Sequence, residues 1–124
     1  MTAEPAGTPT PMLELHVAVH DTAAGTCTVV ELVGQADISA RSMSEVLAAE
    51  VAKAPGLLVV DLSRLSFIDS SALGVIVRTH RALRANGGKL ALVSPSPAVA
   101  RILQLVDIAQ TIPVYQNMDE ATAR

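Results

Sequence analysis

The sequence predicts a single α/β domain with a mixed, mostly parallel sheet that opens with an antiparallel hairpin. The length of 124 residues suits one domain. Residues 13–33 contain segments that alternate apolar and polar side chains or are rich in β-branched residues, which is typical of strands. Beyond them, segments with helical spacing alternate with short apolar runs, as in parallel strands joined by helices. The predicted order is β-β-α-β-α-β-α-β-α.

The first two strands are predicted from alternation and β-branched content. Residues 2–11 carry three prolines and no periodicity, so residues 1–11 are predicted to be a disordered tail and residues 12–124 the domain. Leucine and valine alternate with polar residues from Leu13 to His20, which predicts a half-buried strand. Cys27–Val33 is predicted as the second strand, and the short link between the two implies an antiparallel hairpin.

The first helix and the strand after it are predicted from capping and hydrophobicity. Ser42 and Glu45 have the spacing of a capping box, although Ser39 could also begin this helix. Pro55-Gly56 is expected to end it. Residues 57–62 are almost entirely apolar, which predicts a strand covered by helices on both sides.

The second half of the chain follows the same rhythm. A second helix is predicted from about Ser70 to Asn86, with Gly87-Gly88 as its C-terminal stop. The remaining elements are a strand at 90–93, a helix opened by Ser96-Pro97 and running to Val106, a strand at 112–115 and a final helix capped by Asn117 and running to Arg124.

Composition excludes several function classes. The net charge of −3 and the presence of only one Phe and one Tyr argue against a protein that binds nucleic acid directly. The single cysteine, Cys27, excludes an internal disulfide, a CxxC pair and a thiolate zinc cluster. No apolar run approaches the length of a membrane span and no signal-peptide pattern opens the sequence, so a cytoplasmic protein without membrane contact is expected.

The most informative segment runs from Phe67 to Gly74, at the predicted start of the second helix. Ser70 is predicted to be the N-cap, with its hydroxyl oxygen accepting a backbone hydrogen bond. Ser71 would then occupy the first helical position with its hydroxyl outward, at the positive end of the helix dipole, where an added anion is tolerated. Taken alone, these residues favour a capped helix with no further role.

A second candidate is Asp37, which closes the segment Gly34-Gln-Ala-Asp just beyond the second strand. In a parallel sheet the loops that leave the C-terminal strand ends gather at one edge, where α/β proteins bind partners and ligands. Asp37 and Ser71 are therefore expected to share that edge. Taken alone, Asp37 favours an ordinary turn residue or an acid at the start of a helix.

No catalytic or metal-binding constellation is found. The histidine nearest to Ser71 in sequence is His80, and nine residues along one helix is about 13 Å, which is beyond hydrogen-bond reach. His16 and His20 project from the solvent face of a predicted strand, so a metal site there is not expected. No GxSxG elbow or nucleotide-phosphate loop occurs. The sequence therefore predicts a non-enzyme without metal or cofactor.

Five segments together resemble a STAS domain and, more narrowly, a bacterial anti-sigma factor antagonist. The resemblance extends from about Leu13 to the C-terminus, and the Asp-Ser-Ser-x-Leu-Gly pattern is its most specific part. The segments are Gly34–Asp37, Leu58–Leu62, Phe67–Gly74, Asn86–Leu90 and Ser96–Val99.

The resemblance implies a phosphorylation switch. In that family the anti-sigma factor is a serine kinase that phosphorylates the second serine of the pair, and a PP2C-type phosphatase reverses the modification. For this chain it implies phosphorylation of Ser71 and a partner-binding surface formed by Asp37, Asp69, Ser70, Ser71 and Ala72. Many members have glycine where this chain has Ala72, and its methyl group is expected to narrow the approach to Ser71.

Two function classes follow from the resemblance. In the leading one, the chain binds an anti-sigma factor and so releases a sigma factor, until phosphorylation switches it off. In the alternative, it is a structural STAS subunit of a lipid-transport ABC complex or of a stress-sensing assembly. A phosphate group on Ser71 would add about −1.5 to −2 charges. Asp69 would repel this charge, while the helix dipole would stabilise it by about 0.3–1 kcal/mol. The modification is therefore expected to act on partner binding rather than on folding.

Overall fold

The computed structural model describes residues 13–22, 25–36 and 41–123, and these form one five-stranded sheet with helices. Across the sheet the order is β1-β2-β3-β4-β5; β1 is antiparallel to β2 and the other pairs are parallel. The elements are β1 (Leu13–Thr22), β2 (Gly25–Ala36), α1 (Arg41–Ala52), β3 (Leu57–Ile68), α2 (Ser70–Ala85), β4 (Lys89–Val93), α3 (Pro97–Leu105), a 3₁₀ helix (Ile108–Gln110), β5 (Val114–Tyr115) and α4 (Met118–Ala121).

The predicted fold class and element order are confirmed. The predicted tail at residues 1–11 lies outside the described residues, so its disorder stays a prediction. Within the described residues, no helix has both the length and the apolar character needed to cross a membrane.

The main core lies between one face of the sheet and helices α1 to α3. Because neighbouring parallel strands are consecutive in sequence, right-handed crossovers place all three connecting helices on the same face. The strand residues of this core include Val30, Leu32, Leu58, Val60, Leu62, Leu90 and Leu92, and the helix residues include Met43, Leu47, Ile76, Leu83 and Leu103.

The opposite face of the sheet carries a smaller apolar cluster. It consists of Cys27, Val29, Val59, Ala91 and Val93, with Ala121 of α4 packed against them. The prediction that helices cover the third strand on both sides is therefore right only in part. On this second face the cluster packs against α4, which has four residues, because the crossover helices all lie on the other side.

Several element boundaries differ from the predicted ones. Helix α1 already includes Arg41 and Ser42, so Ser42 does not cap it, and Ser39 lies outside the described residues. Strand β5 has two residues instead of four, since the Ile112 backbone N–H donates to the Ile108 carbonyl of the preceding 3₁₀ helix and Pro113 has no backbone N–H to donate. The last helix begins after Asn117 as predicted, but it ends at Ala121 rather than at Arg124.

The C-terminal end of α2 and the start of α3 follow the predicted chemistry. Helix α2 ends at Ala85 with Asn86 as its C-cap, and Gly87 has a φ of 80°, which a residue with a side chain rarely adopts. The Ser96 hydroxyl accepts a hydrogen bond from the Val99 backbone N–H at 3.4 Å, with Pro97 opening helix α3.

Candidate functional site

The candidate site lies where β3 passes directly into α2, and its position depends on an unusual pairing of β3 with β2. From Glu31 to Val33 strand β2 advances two residues, while β3 advances three, from Asp61 to Arg64. Between Gly34 and Gln35 the β3 partner moves by two residues, from Leu65 to Phe67. Strand β3 thus contains two one-residue insertions, and such bulges bend a strand and redirect its side chains.

These insertions extend β3 well beyond its predicted end at Leu62. Leu62, Leu65 and Ile68 are all buried, at a spacing of three that an unbulged strand with strict alternation would not give. The Ser66 hydroxyl donates to the Gly34 carbonyl at 2.9 Å and helps to hold the bulged segment against β2. The predicted loop between strand and helix is replaced by a single residue, Asp69.

The N-cap of helix α2 is Asp69, and the prediction that Ser70 caps this helix is wrong. The Asp69 carboxylate accepts a hydrogen bond from the Ala72 backbone N–H at 3.0 Å, and its own backbone is extended. The cap is set by where β3 ends. Because β3 continues to Ile68, Asp69 is the first residue outside the strand and precedes the first helical residue.

The two serines therefore occupy the first and second helical positions, Ser70 and then Ser71, and both are exposed. Neither hydroxyl caps α2. The first turn of α2 contains no acidic residue, so Asp69 is the acid nearest in sequence to the serine pair. The positive end of the helix dipole favours a negative charge at this turn. The Asp69 carboxylate would repel such a charge if it were added to either serine.

Ala72 does not lie on the exposed surface formed by the serines. It stands at the third helical position, one later than predicted, and it is fully buried in the main core. Its methyl group therefore packs inward and does not narrow the approach to Ser71. Gly74, one helical turn after Ser70 and Ser71, is half-buried, and a Cβ added there would lie 3.4 Å from the Arg78 Nη1 atom.

Hydrogen bonds tie this segment to the elements on both sides. The Asp69 backbone N–H donates to the carbonyl of Ala36, the last residue of β2, at 2.9 Å. The Ser96 hydroxyl, at the start of α3, donates to the Leu65 carbonyl at 2.8 Å. The start of α2 is thus held to the C-terminal end of β2, and the last part of β3 is held to the start of α3.

Asp37 itself lies outside the described residues, so its predicted place beside Ser71 stays a prediction. The residue before it, Ala36, is fully buried and carries the carbonyl that accepts from Asp69.

The exposure of the Phe67 side chain is a feature of the site that was not predicted from the sequence, where Phe67 enters only as part of the motif. Its side chain is 43% exposed, two residues before the N-cap of α2. It is the only Phe of the chain, and the bulges of β3 place it outside the core. The three-residue spacing of Leu62, Leu65 and Ile68 was the signal in the sequence that could have revealed this exposure.

The other titratable candidates do not join the site. His80 is buried, and within the described residues its Nδ1 atom has no hydrogen-bond partner. Burial lowers the pKa of His80, and Arg84 and Arg81 lower it further by charge repulsion. His16 is exposed, with its Nε2 atom 3.3 Å from Glu14 Oε1. Among the described residues, no group of three or more His, Cys, Asp or Glu could hold a metal ion.

Comparisons with known proteins identify the same kind of domain. Residues 18–121 match the family model of the STAS domain. The chain is 35% identical over 60 residues to an anti-sigma F factor antagonist of Paenibacillus polymyxa, an alignment that covers 48% of this chain and 51% of the relative. It is 31% identical over 85 residues to the putative anti-sigma factor antagonist BtrV of Bordetella bronchiseptica, covering 68% of this chain and 73% of the relative. Against the first of these relatives, the chain spans about half of the relative's length.

Solved structures with the same fold cover more of the chain. An anti-sigma factor antagonist from Mycobacterium paratuberculosis superposes with a TM-score of 0.75 at 28% identity, over 90% of this chain and 96% of the other. A putative anti-sigma factor antagonist from Thermotoga maritima gives a TM-score of 0.71 at 27% identity, over 87% and 95%.

Proposed function

The chain belongs to the STAS domain family, and we propose that it acts as an anti-sigma factor antagonist. In this role it is a binding protein: it captures an anti-sigma factor and so releases the sigma factor that the anti-sigma factor holds. The observation that carries the proposal is the exposed Ser71 at the second position of a helix capped by Asp69, on a domain whose relatives are named antagonists.

The proposed switch is phosphorylation of Ser71 by the anti-sigma factor acting as a kinase. Because Ser71 does not cap α2, its hydroxyl is free to take a phosphate without loss of the cap on Asp69. The helix dipole would stabilise the phosphate and the Asp69 carboxylate would repel it. Because these two effects oppose each other, the folded domain should tolerate the modification. A partner that docks on this surface would have to bury the doubly charged group, which is costly unless it is paired.

The proposed binding surface comprises the exposed and half-buried residues around Ser71. It contains Ser70 and Asp69, and we add Phe67 as an apolar contact beside them. Phe, Tyr and Trp side chains are enriched at protein interfaces relative to the rest of the protein surface. Asp37 is proposed to contribute from the end of β2, and a PP2C-type phosphatase is proposed to restore the binding state.

Phosphopeptide mapping tests the assignment. The chain is incubated with ATP and the serine-kinase anti-sigma factors of the same genome, and the modified peptide is sequenced by mass spectrometry. We expect phosphate on Ser71 and not on Ser70. Both hydroxyls are exposed, but successive helical positions differ by about 100° around the axis, so a kinase docked on one face reaches only one of them. Label mainly on Ser70, or no label with any of these kinases, would contradict the proposal.

A further inference from the structure

Strand β1 forms one edge of the sheet, and among the described residues it has few of the features that usually protect such edges. In the part of the chain that the structure describes, its only strand neighbour is β2. Its ten residues pair with β2 in a continuous register from Leu13 to Thr22, without a bulge. Proteins commonly block free edges with proline, lysine or a bulge, because an open edge accepts another strand. The segment LELHVAVHDT contains none of these.

The same edge exposes two large apolar side chains. Val17 is 43% exposed and Val19 is 70% exposed, although their alternation with Leu13 and Leu15 predicts a half-buried strand. The register places Val17 beside Val30, a residue of the main core, so these valines lie on the face of the sheet that carries α1 to α3. The far half of β1 therefore extends the apolar face of the sheet beyond the core.

The sequence of β1 is symmetric at this point. His16-Val17-Ala18-Val19-His20 reads the same in both directions, with Ala18 at its centre. We propose that β1 pairs with β1 of a second copy of this chain, antiparallel about a two-fold axis at Ala18. In this register Val17 lies opposite Val19 of the partner subunit, and cross-strand β-branched pairs stabilise a sheet.

The placement of charges does not oppose a second copy as the occupant of this edge. In the proposed register Glu14 lies opposite Thr22 of the partner subunit, and Asp21 lies opposite Leu15 of the partner subunit. No acidic residue is therefore placed directly opposite another. The two sheets would join into one continuous sheet, in which both copies of Val17 and Val19 form a four-valine cluster on the same face.

The proposed dimer is weak and independent of the serine site. A ten-residue strand is about 34 Å long, and pairing along one edge buries less than the roughly 1,200 Å² of a stable interface. Association is therefore expected to depend on concentration. The serine pair follows β3, which is separated from β1 by β2, so pairing at this edge leaves Ser70 and Ser71 accessible.

Sedimentation velocity between about 10 μM and about 1 mM tests the dimer. The unmodified chain is expected to shift from monomer to dimer, and Val19→Lys is expected to weaken association at least tenfold. Leu105→Lys is the matched control, because Leu105 is 77% exposed but lies on α3. A monomer at every concentration, or equal association of the unmodified chain and Val19→Lys, would overturn the proposal.

Cross-linking with a short bismaleimide tests the register. Ala18→Cys is expected to cross-link to itself across the two-fold axis, while Glu14→Cys alone is not, since its opposite position is residue 22. The native Cys27 is buried, so it is expected to remain unmodified in the folded chain. Efficient cross-linking of Glu14→Cys alone, with none of Ala18→Cys, would overturn the proposed register.

Discussion

The carboxylate of Asp69 accepts a hydrogen bond from the backbone N–H of Ala72 at 3.0 Å, so the acid before the serine pair caps helix α2. This arrangement separates two roles that the sequence interpretation had placed on neighbouring hydroxyls. The cap is held by a residue that is not proposed to be modified, and Ser71 is exposed although the next residue, Ala72, is buried in the core. A phosphate on Ser71 would therefore leave the helix start intact.

The first prediction tests which residue is the cap. Asp69→Ala should lower the free energy of unfolding by about 1 kcal/mol, within a range of about 0.5–2, because it removes the acceptor for the Ala72 N–H. Ser70→Ala should change it by no more than about 0.5 kcal/mol, since Ser70 is exposed and does not cap the helix. Urea denaturation measures both. If Ser70→Ala costs as much as Asp69→Ala, the cap is wrongly assigned.

The second prediction concerns Gly74, inside helix α2. Gly74→Ala should stabilise the fold by about 0.5–1 kcal/mol, because alanine restricts the unfolded chain. Among the described residues the added Cβ meets only Arg78 Nη1, at 3.4 Å, and that flexible side chain can move. Gly88→Ala is the matched contrast and should destabilise by about 1–3 kcal/mol, since its Cβ would lie 2.6 Å from the Pro55 carbonyl oxygen. Thermal denaturation that gives both variants the same sign would contradict this account.

The third prediction follows from the lowered pKa of buried His80. The folded state favours the neutral imidazole, whereas the unfolded chain takes up a proton near the ordinary pKa of 6.5. Between that pH and the lower folded pKa, the unfolded state binds more protons, so the free energy of unfolding falls as the pH falls. The contribution is fully present above pH 6.5.

The measurement is a series of urea denaturations from neutral to acidic pH, compared between the unmodified chain and two variants. His80→Leu should flatten the decline that begins near pH 6.5, while His16→Ala should keep it, because His16 is exposed. A decline of equal steepness in His80→Leu would assign the pH dependence to other groups.

The fold and part of the site could be predicted because they depend on local signals. Apolar alternation, helical spacing and the caps at Ser96 and Asn117 are local properties of the sequence, and the structure confirms both caps. The sheet order also follows from short right-handed connections. Where the helix, strand or capping preference of a residue agrees with its place in the fold, the sequence alone predicts the element.

The remainder could not be predicted because it depends on pairing between distant residues. Ser70 and Asp69 are both good N-caps by residue type, and the choice between them is decided by how far β3 continues to pair with β2. The two insertions in β3 also expose Phe67 and bury Ala72, and neither effect is visible in a three- or four-residue window. The length of a strand depends on its partner as well as on its own sequence.

The fourth prediction concerns Asp37. If it contributes to the proposed binding surface, Asp37→Ala should weaken binding of the anti-sigma factor or slow phosphorylation of Ser71, with an unchanged circular dichroism spectrum. Asp37→Asn keeps the shape and removes the charge, so comparison of the two variants separates packing from electrostatics. Unmodified affinity together with an unmodified phosphorylation rate in Asp37→Ala would reduce Asp37 to a turn residue.

The central claim is that charge on Ser71 acts on partner binding and not on folding. Ser71→Ala should fold normally, bind the anti-sigma factor and never be switched off. Ser71→Glu places one negative charge in the first turn of α2, which the helix dipole favours, so its free energy of unfolding should stay within about 0.5 kcal/mol of the unmodified chain.

Titration calorimetry of these two variants with the anti-sigma factor, beside a thermal melt of each, is the most direct test. The account predicts that Ser71→Glu binds at least tenfold more weakly than the unmodified chain, a loss of about 1.4 kcal/mol, because the partner must bury a carboxylate next to Asp69. Ser71→Ala should retain the unmodified affinity. If Ser71→Glu folds and binds as tightly as the unmodified chain, or if it loses binding only because it unfolds, the proposed switch is contradicted.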